Sequence, residues 1–220
     1  MAEKKYTPMM QHYLKMKEEN PDSILFYRLG DFYEMFFEDA KLVSQELDLV
    51  LTGRSAGVEE KVPMCGIPFH AANSYIQRLV KKGYKVAICE QLEDPSSAKG
   101  LVDRGIIKII TPGTYMDATM DAKSTNYMAS CDVSSFEITV IYCELSTGEL
   151  KYQTLQRSLV ALQKALLEQN VSELVCPMTM DKKWMAALEE MDTMLISKHK
   201  KANIDPVSYT HLTLPTKRIV

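Results

Sequence analysis

The chain is organised around the segment Leu29-Gly30-Asp31-Phe32-Tyr33-Glu34-Met35-Phe36-Phe37. The apolar residues Ile24-Leu25-Phe26-Tyr27 precede it and predict a buried strand. Gly30 permits a sharp change of chain direction, and Asp31 is a favourable N-cap for a following helix. From Met35 onward apolar residues recur at helical spacing, so the segment predicts a strand–turn–helix corner.

Phe32 and Glu34 are two residues apart at this predicted corner. In extended backbone, residues i and i+2 point to the same side, so an aromatic ring and a carboxylate would be presented together. Aromatic residues at such junctions are more commonly core residues, because they bury a large apolar area. The local pattern alone therefore leaves both a binding role and a core role open for Phe32.

Length and composition indicate an ordinary globular protein. The 220 residues are enough for one or two domains, and 46% hydrophobic with 25% charged residues is typical of a soluble chain. No apolar run has the length of a membrane span, so we expect a cytoplasmic protein without a membrane partner. Five widely spaced cysteines without a C-x-x-C pair favour reduced thiols over disulfides or zinc.

The net charge of −3 does not suggest a protein that binds nucleic acid through charge alone. Neither residues 1–127 nor the remainder carries an excess of lysine and arginine. Sequence-independent phosphate binding should therefore be weak, and a role on DNA would depend on local patches or on shape.

Hydrophobic periodicity predicts an α/β domain over residues 1–115, with a mixed sheet flanked by helices. Its predicted helices and extended segments are, in order, helix 6–19, strand 24–29, a helix ending near 47, strand 49–52, extended segment 62–70, helix 71–82, strand 84–92 and strand 106–110.

A second, incomplete α/β unit is predicted after a linker at residues 116–126. It covers residues 127–204 and has the element order β-β-β-α-β-α, which suits an RNase H-like fold. Residues 205–220 do not continue this pattern and resemble a translated vector or adaptor sequence, so we exclude them from the fold.

Five blocks of sequence, taken together, resemble the N-terminal part of the MutS family of bacterial DNA mismatch-recognition proteins. The blocks occur in family order from residue 7 to about 115, and the connector domain of the family follows less sharply. They are Thr7-Pro8-Met9-Met10-Gln11, Arg28-Leu29-Gly30-Asp31-Phe32-Tyr33-Glu34-Met35-Phe36, Val62-Pro63-Met64-Cys65-Gly66-Ile67-Pro68-Phe69-His70, Val86-Ala87-Ile88-Cys89-Glu90-Gln91 and Thr111-Pro112-Gly113-Thr114.

The resemblance implies roles for the pair in the central segment. Phe32 matches the phenylalanine that this family inserts from the minor groove against a mispaired or unpaired base, and Glu34 matches the glutamate that hydrogen-bonds that base. Weaker candidates for contacts with the DNA backbone or groove are Arg54, Lys61, Pro63, Met64, Lys99, Arg104 and Lys108. The alternative for each of these is a solvated charge or a core residue.

The resemblance also implies partners, namely double-stranded DNA with mismatches or small loops, a second copy in a homodimer, and a MutL-like protein. The family uses ATP and Mg²⁺, but these 220 residues contain no G-x-x-x-x-G-K-[ST] motif, so we expect neither an ATPase nor a cofactor in this chain. The expected location is the cytoplasm, in association with the nucleoid.

Two other functions stay open at this point, an RNase H-like nuclease and a protein-interaction module. A nuclease would need clustered carboxylates at strand ends, and Asp132 is the only obvious one on a strand. Asp31, Glu38 and Asp39 are better explained as acids near a helix start than as metal ligands, so no metal site is predicted.

Overall fold

The computed structural model describes residues 6–93, 102–116, 126–199 and 216–218, the last as backbone only. The chain divides into two compact units, Met1–Thr111 and Pro112–Val220, close to the boundary predicted after residue 115. Most of the predicted linker, residues 117–125, lies outside the described residues. The same holds for most of the predicted vector-like tail, whose origin stays a prediction.

The first unit is a mixed sheet with helices on both faces, as predicted. Its strands run in the order β3-β4-β2-β1-β5-β6, where β1 and β5 are parallel and the other neighbours antiparallel. The elements are α1 (Pro8–Glu19), β1 (Ser23–Leu29), β2 (Phe32–Phe36), α2 (Phe37–Leu47), β3 (Thr52–Arg54), β4 (Val62–Pro68), α3 (Ala72–Lys81), β5 (Lys85–Gln91) and β6 (Arg104–Ile110).

Both faces of the central strand β1 are covered, which explains its continuous apolar run. Leu25 and Tyr27 pack in one cluster with Met10 and Tyr13 of α1. Alternate residues such as Phe26 are also fully buried and point to the face on which α2 and α3 pack. Helix α1 begins at Pro8, two residues after its predicted start and with the predicted end, and the Thr7 hydroxyl caps it by accepting a hydrogen bond from the Met10 amide.

The central segment is a β-hairpin, and the predicted strand–turn–helix corner is wrong. β1 and β2 pair antiparallel, with Leu29 opposite Phe32, so Gly30 and Asp31 form a two-residue turn. Gly30 has φ +57, a conformation that glycine adopts without steric cost. Asp31 is therefore a turn residue and not a helix N-cap. A Gly-Asp pair between two apolar runs is a hairpin signal, because such turns match the twist of the strands.

Helix α2 begins later than predicted, at Phe37. Met35 and Phe36 belong to β2, where both are buried. Phe37 has φ +53, an uncommon value for a bulky residue, and its ring lies 6.0 Å from that of Tyr6. The strand predicted at 49–52 also begins later than expected, because β3 starts at Thr52. Residues 49–51 have no strand partner, and Val50 is 79% exposed.

A buried carboxylate joins three elements of the first unit. Asp39 on α2 accepts hydrogen bonds from the Leu25 amide at 2.9 Å, the Tyr13 hydroxyl at 3.3 Å and the Lys17 ammonium at 2.8 Å. Because all of these donors belong to α1 or β1, Asp39 fixes both elements against α2. It is a structural residue and is not available to a metal cluster.

The second unit is also mixed α/β, in agreement with the predicted class. Its strands run in the order β11-β10-β7-β8-β9-β12, in which β7, β8 and β9 form an antiparallel meander and β10 and β11 are parallel to β7. The elements are β7 (Tyr127–Val133), β8 (Glu137–Glu144), β9 (Glu149–Gln156), α4 (Leu159–Glu168), β10 (Val171–Pro177), α5 (Lys182–Glu189), β11 (Leu195–His199) and β12 (Thr216–Arg218).

Candidate nucleic-acid interface

Phe32 is an exposed aromatic residue on a strand whose other hydrophobic residues are buried. It is the first residue of β2, directly after the turn, and 47% of it is exposed. Tyr33, Met35 and Phe36 of the same strand are buried. The structure therefore places Phe32 outside the core, which removes the core role that the local pattern left open.

Glu34 lies on the same face of β2 as Phe32, as expected for residues i and i+2 of a strand. Directly opposite Glu34 on β4 is Gly66. A Cβ atom placed on Gly66 would lie 3.6 Å from Glu34 Cγ and 3.9 Å from Phe32 Cδ1. The ring and the carboxylate thus both lie next to Gly66, where a methyl group would be in ordinary van der Waals contact with each of them.

The carboxylate of Glu34 forms an ion pair with Arg54 at the end of β3. The Glu34 side chain is 15% exposed and the Arg54 side chain 36%. The Arg54 guanidinium also lies 6.0 Å from the centre of the Phe36 ring. Glu34 and Arg54, which are both predicted DNA contacts, therefore form an ion pair with each other.

The turn that carries Phe32 is held from two sides. Arg28 Nε donates to Gly30 O at 2.5 Å, and the Phe69 amide donates to Asp31 O at 2.9 Å. The Arg28 guanidinium also lies over the Phe69 ring, 3.6 Å from its centre, which is a close cation–π contact. These contacts fix the turn, and with it the position of Phe32.

On the face of β2 opposite Glu34, Tyr33 anchors the same strand. Its hydroxyl donates to Glu90 on β5, and Arg28 Nη1 lies 3.5 Å from the same carboxylate. Burial, and secondarily the bond to Glu90, raises the pKa of Tyr33 to about 12. Tyr33 is therefore a protonated hydrogen-bond donor at neutral pH. The sequence alone gives no role to Arg28, Phe69 or Glu90. A prediction of the hairpin would have pointed to Arg28 and Phe69, because both of them contact its turn.

Pro63, Met64 and Lys61 lie at the start of β4, the direct neighbour of β2. Met64 is opposite Phe36, whereas Pro68 and Gly66 are the residues opposite Phe32 and Glu34. Pro63 and Met64 are partly exposed, and Lys61, just before β4, is exposed. Thr52 Oγ1 lies 3.6 Å from Met64 Sδ. The structure thus groups these three candidates with Arg54 on the β3–β4 side of the hairpin.

The remaining predicted contacts are not grouped with the pair. Arg104 is only 7% exposed, because its guanidinium donates to Arg28 O and to Val102 O, each at 2.9 Å. The Arg104 guanidinium is bonded inside the first unit, so the prediction that Arg104 contacts DNA at the surface is wrong. Lys108 is exposed but lies on β6, at the other end of the strand order, and Lys99 is outside the described residues.

The acidic residues of the second unit have structural partners or lie apart. Glu173 is buried and accepts from the Gly113 amide and from the Ser197 hydroxyl, while Asp132 is exposed on β7. Within residues 6–93, 102–116 and 126–199, no three His, Cys, Asp or Glu side chains are grouped so that they could hold a metal ion. The geometry gives no support to the nuclease alternative.

Fold and site together define a mixed α/β binding module that presents an aromatic ring and a paired carboxylate beside a hairpin turn. A family model described as MutS domain I matches residues 7–119, about half of the chain. The chain belongs to the MutS family.

Two relatives named DNA mismatch repair protein MutS illustrate the similarity. The one from Clostridium botulinum (strain Loch Maree / Type A3) is 54% identical over 177 residues, which cover 76% of this chain and 19% of that protein. The one from Clostridium tetani (strain Massachusetts / E88) is 48% identical over 200 residues, or 90% of this chain and 22% of that protein.

The similarity extends beyond the residues matched by the domain I model, because the Clostridium tetani relative covers 90% of the chain. The chain spans about a fifth of the length of these curated relatives. None of the helices in the described residues is long and apolar enough to cross a membrane.

Proposed function

We propose that this chain recognises mispaired or unpaired bases in duplex DNA and so initiates mismatch repair. The observation that carries the proposal is the position of Phe32. It is a half-exposed aromatic residue at the tip of a braced hairpin, on the same face as a carboxylate. Membership of the MutS family supports the same role.

Insertion of an apolar ring into a duplex requires the local bases to unstack and the helix to kink. This deformation costs less at a mispaired step than at a paired one, so the ring enters mismatches preferentially. Stacking on an aromatic ring tolerates any base, because every base has a π-face. One phenylalanine can therefore read many different mismatches.

Glu34 then supplies the polar part of the recognition. Its carboxylate accepts a hydrogen bond from the base that stacks on Phe32, because the two side chains lie on the same face of β2. Arg54 reduces the repulsion between this carboxylate and the phosphates, since the two side chains are paired. The low net charge of the chain fits a reader that depends on deformability rather than on phosphate contacts.

The wider activity belongs to the whole protein of which the matched relatives are examples. We propose that it acts as a homodimer with a MutL-like partner, on DNA of the nucleoid in the cytoplasm. ATP and Mg²⁺ would be bound outside these 220 residues, and this chain would itself perform no catalysis.

The test is a binding titration with the full-length MutS protein that carries these residues. One duplex contains a single mismatch and the other is fully paired. Phe32→Ala should lower the preference for the mismatched duplex by about 5- to 150-fold, since loss of a base–aromatic stack costs about 1–3 kcal/mol. Phe136→Ala is the matched control, because Phe136 is 90% exposed in the second unit and should leave the preference unchanged. An unchanged preference in Phe32→Ala would refute the proposal.

A further inference from the structure

We propose that Arg54 is a positioning residue for the Glu34 carboxylate and not a contact for a DNA phosphate. The inference rests on the proposed function, because it concerns how the mismatch reader is held ready before DNA arrives. Sequence reasoning treated Arg54 as one of several cations for the backbone. The structure instead directs its guanidinium to Glu34.

The ion pair crosses a neighbouring strand. Arg54 ends β3, Glu34 is on β2, and β4 lies between these strands in the sheet. The guanidinium reaches Glu34 along the face that holds the Phe36 ring, whose centre is 6.0 Å away. Gly66 on β4 has no side chain to obstruct the Glu34 side of this path.

The exposure of the two side chains indicates which of them depends on the pair. Glu34 is 15% exposed and Arg54 36%, so the carboxylate has lost most of its contact with water. A largely buried carboxylate requires a compensating partner. Among the described residues, Arg54 is the one cation within ion-pair distance of Glu34.

Pairing also fixes the orientation of the reader. The contact between Arg54 Nη1 and Glu34 Oε2 restrains the carboxylate, whereas an unpaired glutamate samples several rotamers. Arg54 occupies part of the carboxylate and leaves the rest free to accept from a base. The pair carries no net charge, so the reader approaches the phosphates without the full repulsion of an isolated carboxylate.

The two roles of Arg54 predict different salt dependence. A cation that neutralises one phosphate contributes about −0.9 to the slope of log K against log salt. If Arg54 is held by Glu34, Arg54→Ala leaves the slope on paired DNA unchanged. Glu34→Ala releases Arg54 toward the phosphates, so that slope becomes steeper by about 0.9 and paired DNA binds more tightly.

The experiment is a double-mutant cycle in the full-length MutS protein that carries these residues. Wild type, Glu34→Ala, Arg54→Ala and the double variant are titrated with mismatched and paired duplexes at several salt concentrations. Each single variant should lower the mismatch preference by at least about tenfold, as expected for loss of a charged hydrogen bond. The double variant should lose no more than either single variant, and its slope should return to that of wild type.

Two further variants keep the outcome interpretable. Lys41→Ala removes the cation of an exposed ion pair with Glu38 on α2, and it should change neither the preference nor the slope beyond experimental error. Arg54→Lys keeps the charge without the planar fork and should recover part of the preference.

The proposal is overturned if Arg54→Ala makes the slope shallower by about 0.9 while the mismatch preference stays at the wild-type value, because Arg54 would then be a phosphate contact. Additive losses of preference in the double variant overturn it as well. Failure of the proposed function is a separate result, in which wild type itself does not prefer the mismatched duplex.

Discussion

Asp39→Ala should destabilise the first unit more than any single change at its surface. The carboxylate is 7% exposed and accepts from the Leu25 amide, the Tyr13 hydroxyl and the Lys17 ammonium. Its removal leaves the buried Leu25 amide without an acceptor, at a cost of about 1–3 kcal/mol. Breaking a buried ion pair from one side costs about 3–5 kcal/mol, and Lys17, 28% exposed, recovers part of this by turning to water. We therefore expect a loss of about 3–5 kcal/mol in total.

The neighbouring acid Glu38 provides the matched control. Its side chain is 84% exposed and pairs with Lys41 one helical turn away. Glu38→Ala should change stability by no more than about 0.5 kcal/mol, as exposed helical ion pairs do. The two substitutions remove the same charge from adjacent positions of α2, so burial and bonding alone distinguish them.

Protection of Cys65 reports the stability of this unit. Cys65 is 1% exposed, and its thiol donates to Ala40 O on the same helix as Asp39. The free energy of unfolding follows from a urea titration in which alkylation of Cys65 is read by mass spectrometry. Equal midpoints for Asp39→Ala and Glu38→Ala would contradict the view that Asp39 joins α1 and β1 to α2.

Three further predictions concern the thiols, the second unit and DNA binding by the chain alone. Burial raises the pKa of Cys65 and of Cys89 to about 12, so both thiols stay protonated at pH 8. They should therefore be alkylated at least about 100-fold more slowly than in the unfolded chain. Equal alkylation rates in the folded and unfolded chain would exclude the buried placement. Gly113→Ala should destabilise the second unit by about 1–3 kcal/mol, followed by Trp184 fluorescence, because a Cβ there would lie 2.8 Å from Glu173 Cβ; an unchanged midpoint would contradict this packing. The 220-residue chain alone, with net charge −3, should bind paired duplex no more tightly than about 100 µM at 150 mM salt; mismatch-specific submicromolar binding in a fluorescence titration would contradict this.

Local signals were sufficient where helices carry their own start signals. Thr7 and Pro8 stand at the beginning of α1, which is predicted over residues 6–19 and found at Pro8–Glu19. The start of α4 is capped by Ser158, which accepts from the Ala161 amide. Such caps are readable from the sequence, because donor and acceptor are only three residues apart.

The sequence contains a signal for the hairpin at Gly30-Asp31, but the apolar pattern predicts a strand–turn–helix corner instead. The apolar residues from Met35 fit a helical period because α2 follows β2 without a loop, so the two elements overlap in the pattern. The Gly-Asp turn signal competed with an N-cap signal from the same aspartate. The prediction that Phe32 and Glu34 point to the same side of the strand agrees with the structure, because it requires only extended backbone.

The long-range partners were not readable from one sequence. Arg54 pairs with Glu34 from 20 positions away, and Arg104 donates to Arg28 O from 76 positions away. The sequence presents both arginines as equivalent candidate surface cations, yet Arg54 is paired with Glu34 and Arg104 is buried. Such differences depend on strand order, which periodicity does not specify.

The most direct test of the central claim is whether Phe32 contacts the mispaired base. A 2-aminopurine placed as that base fluoresces more strongly when it leaves its stack with the neighbouring bases and less when an aromatic ring covers it. With the full-length MutS protein that carries these residues at saturation, binding of wild type should change the fluorescence, and binding of Phe32→Ala should give a clearly different signal. The same fluorescence change with both proteins would contradict the claim that Phe32 enters the duplex.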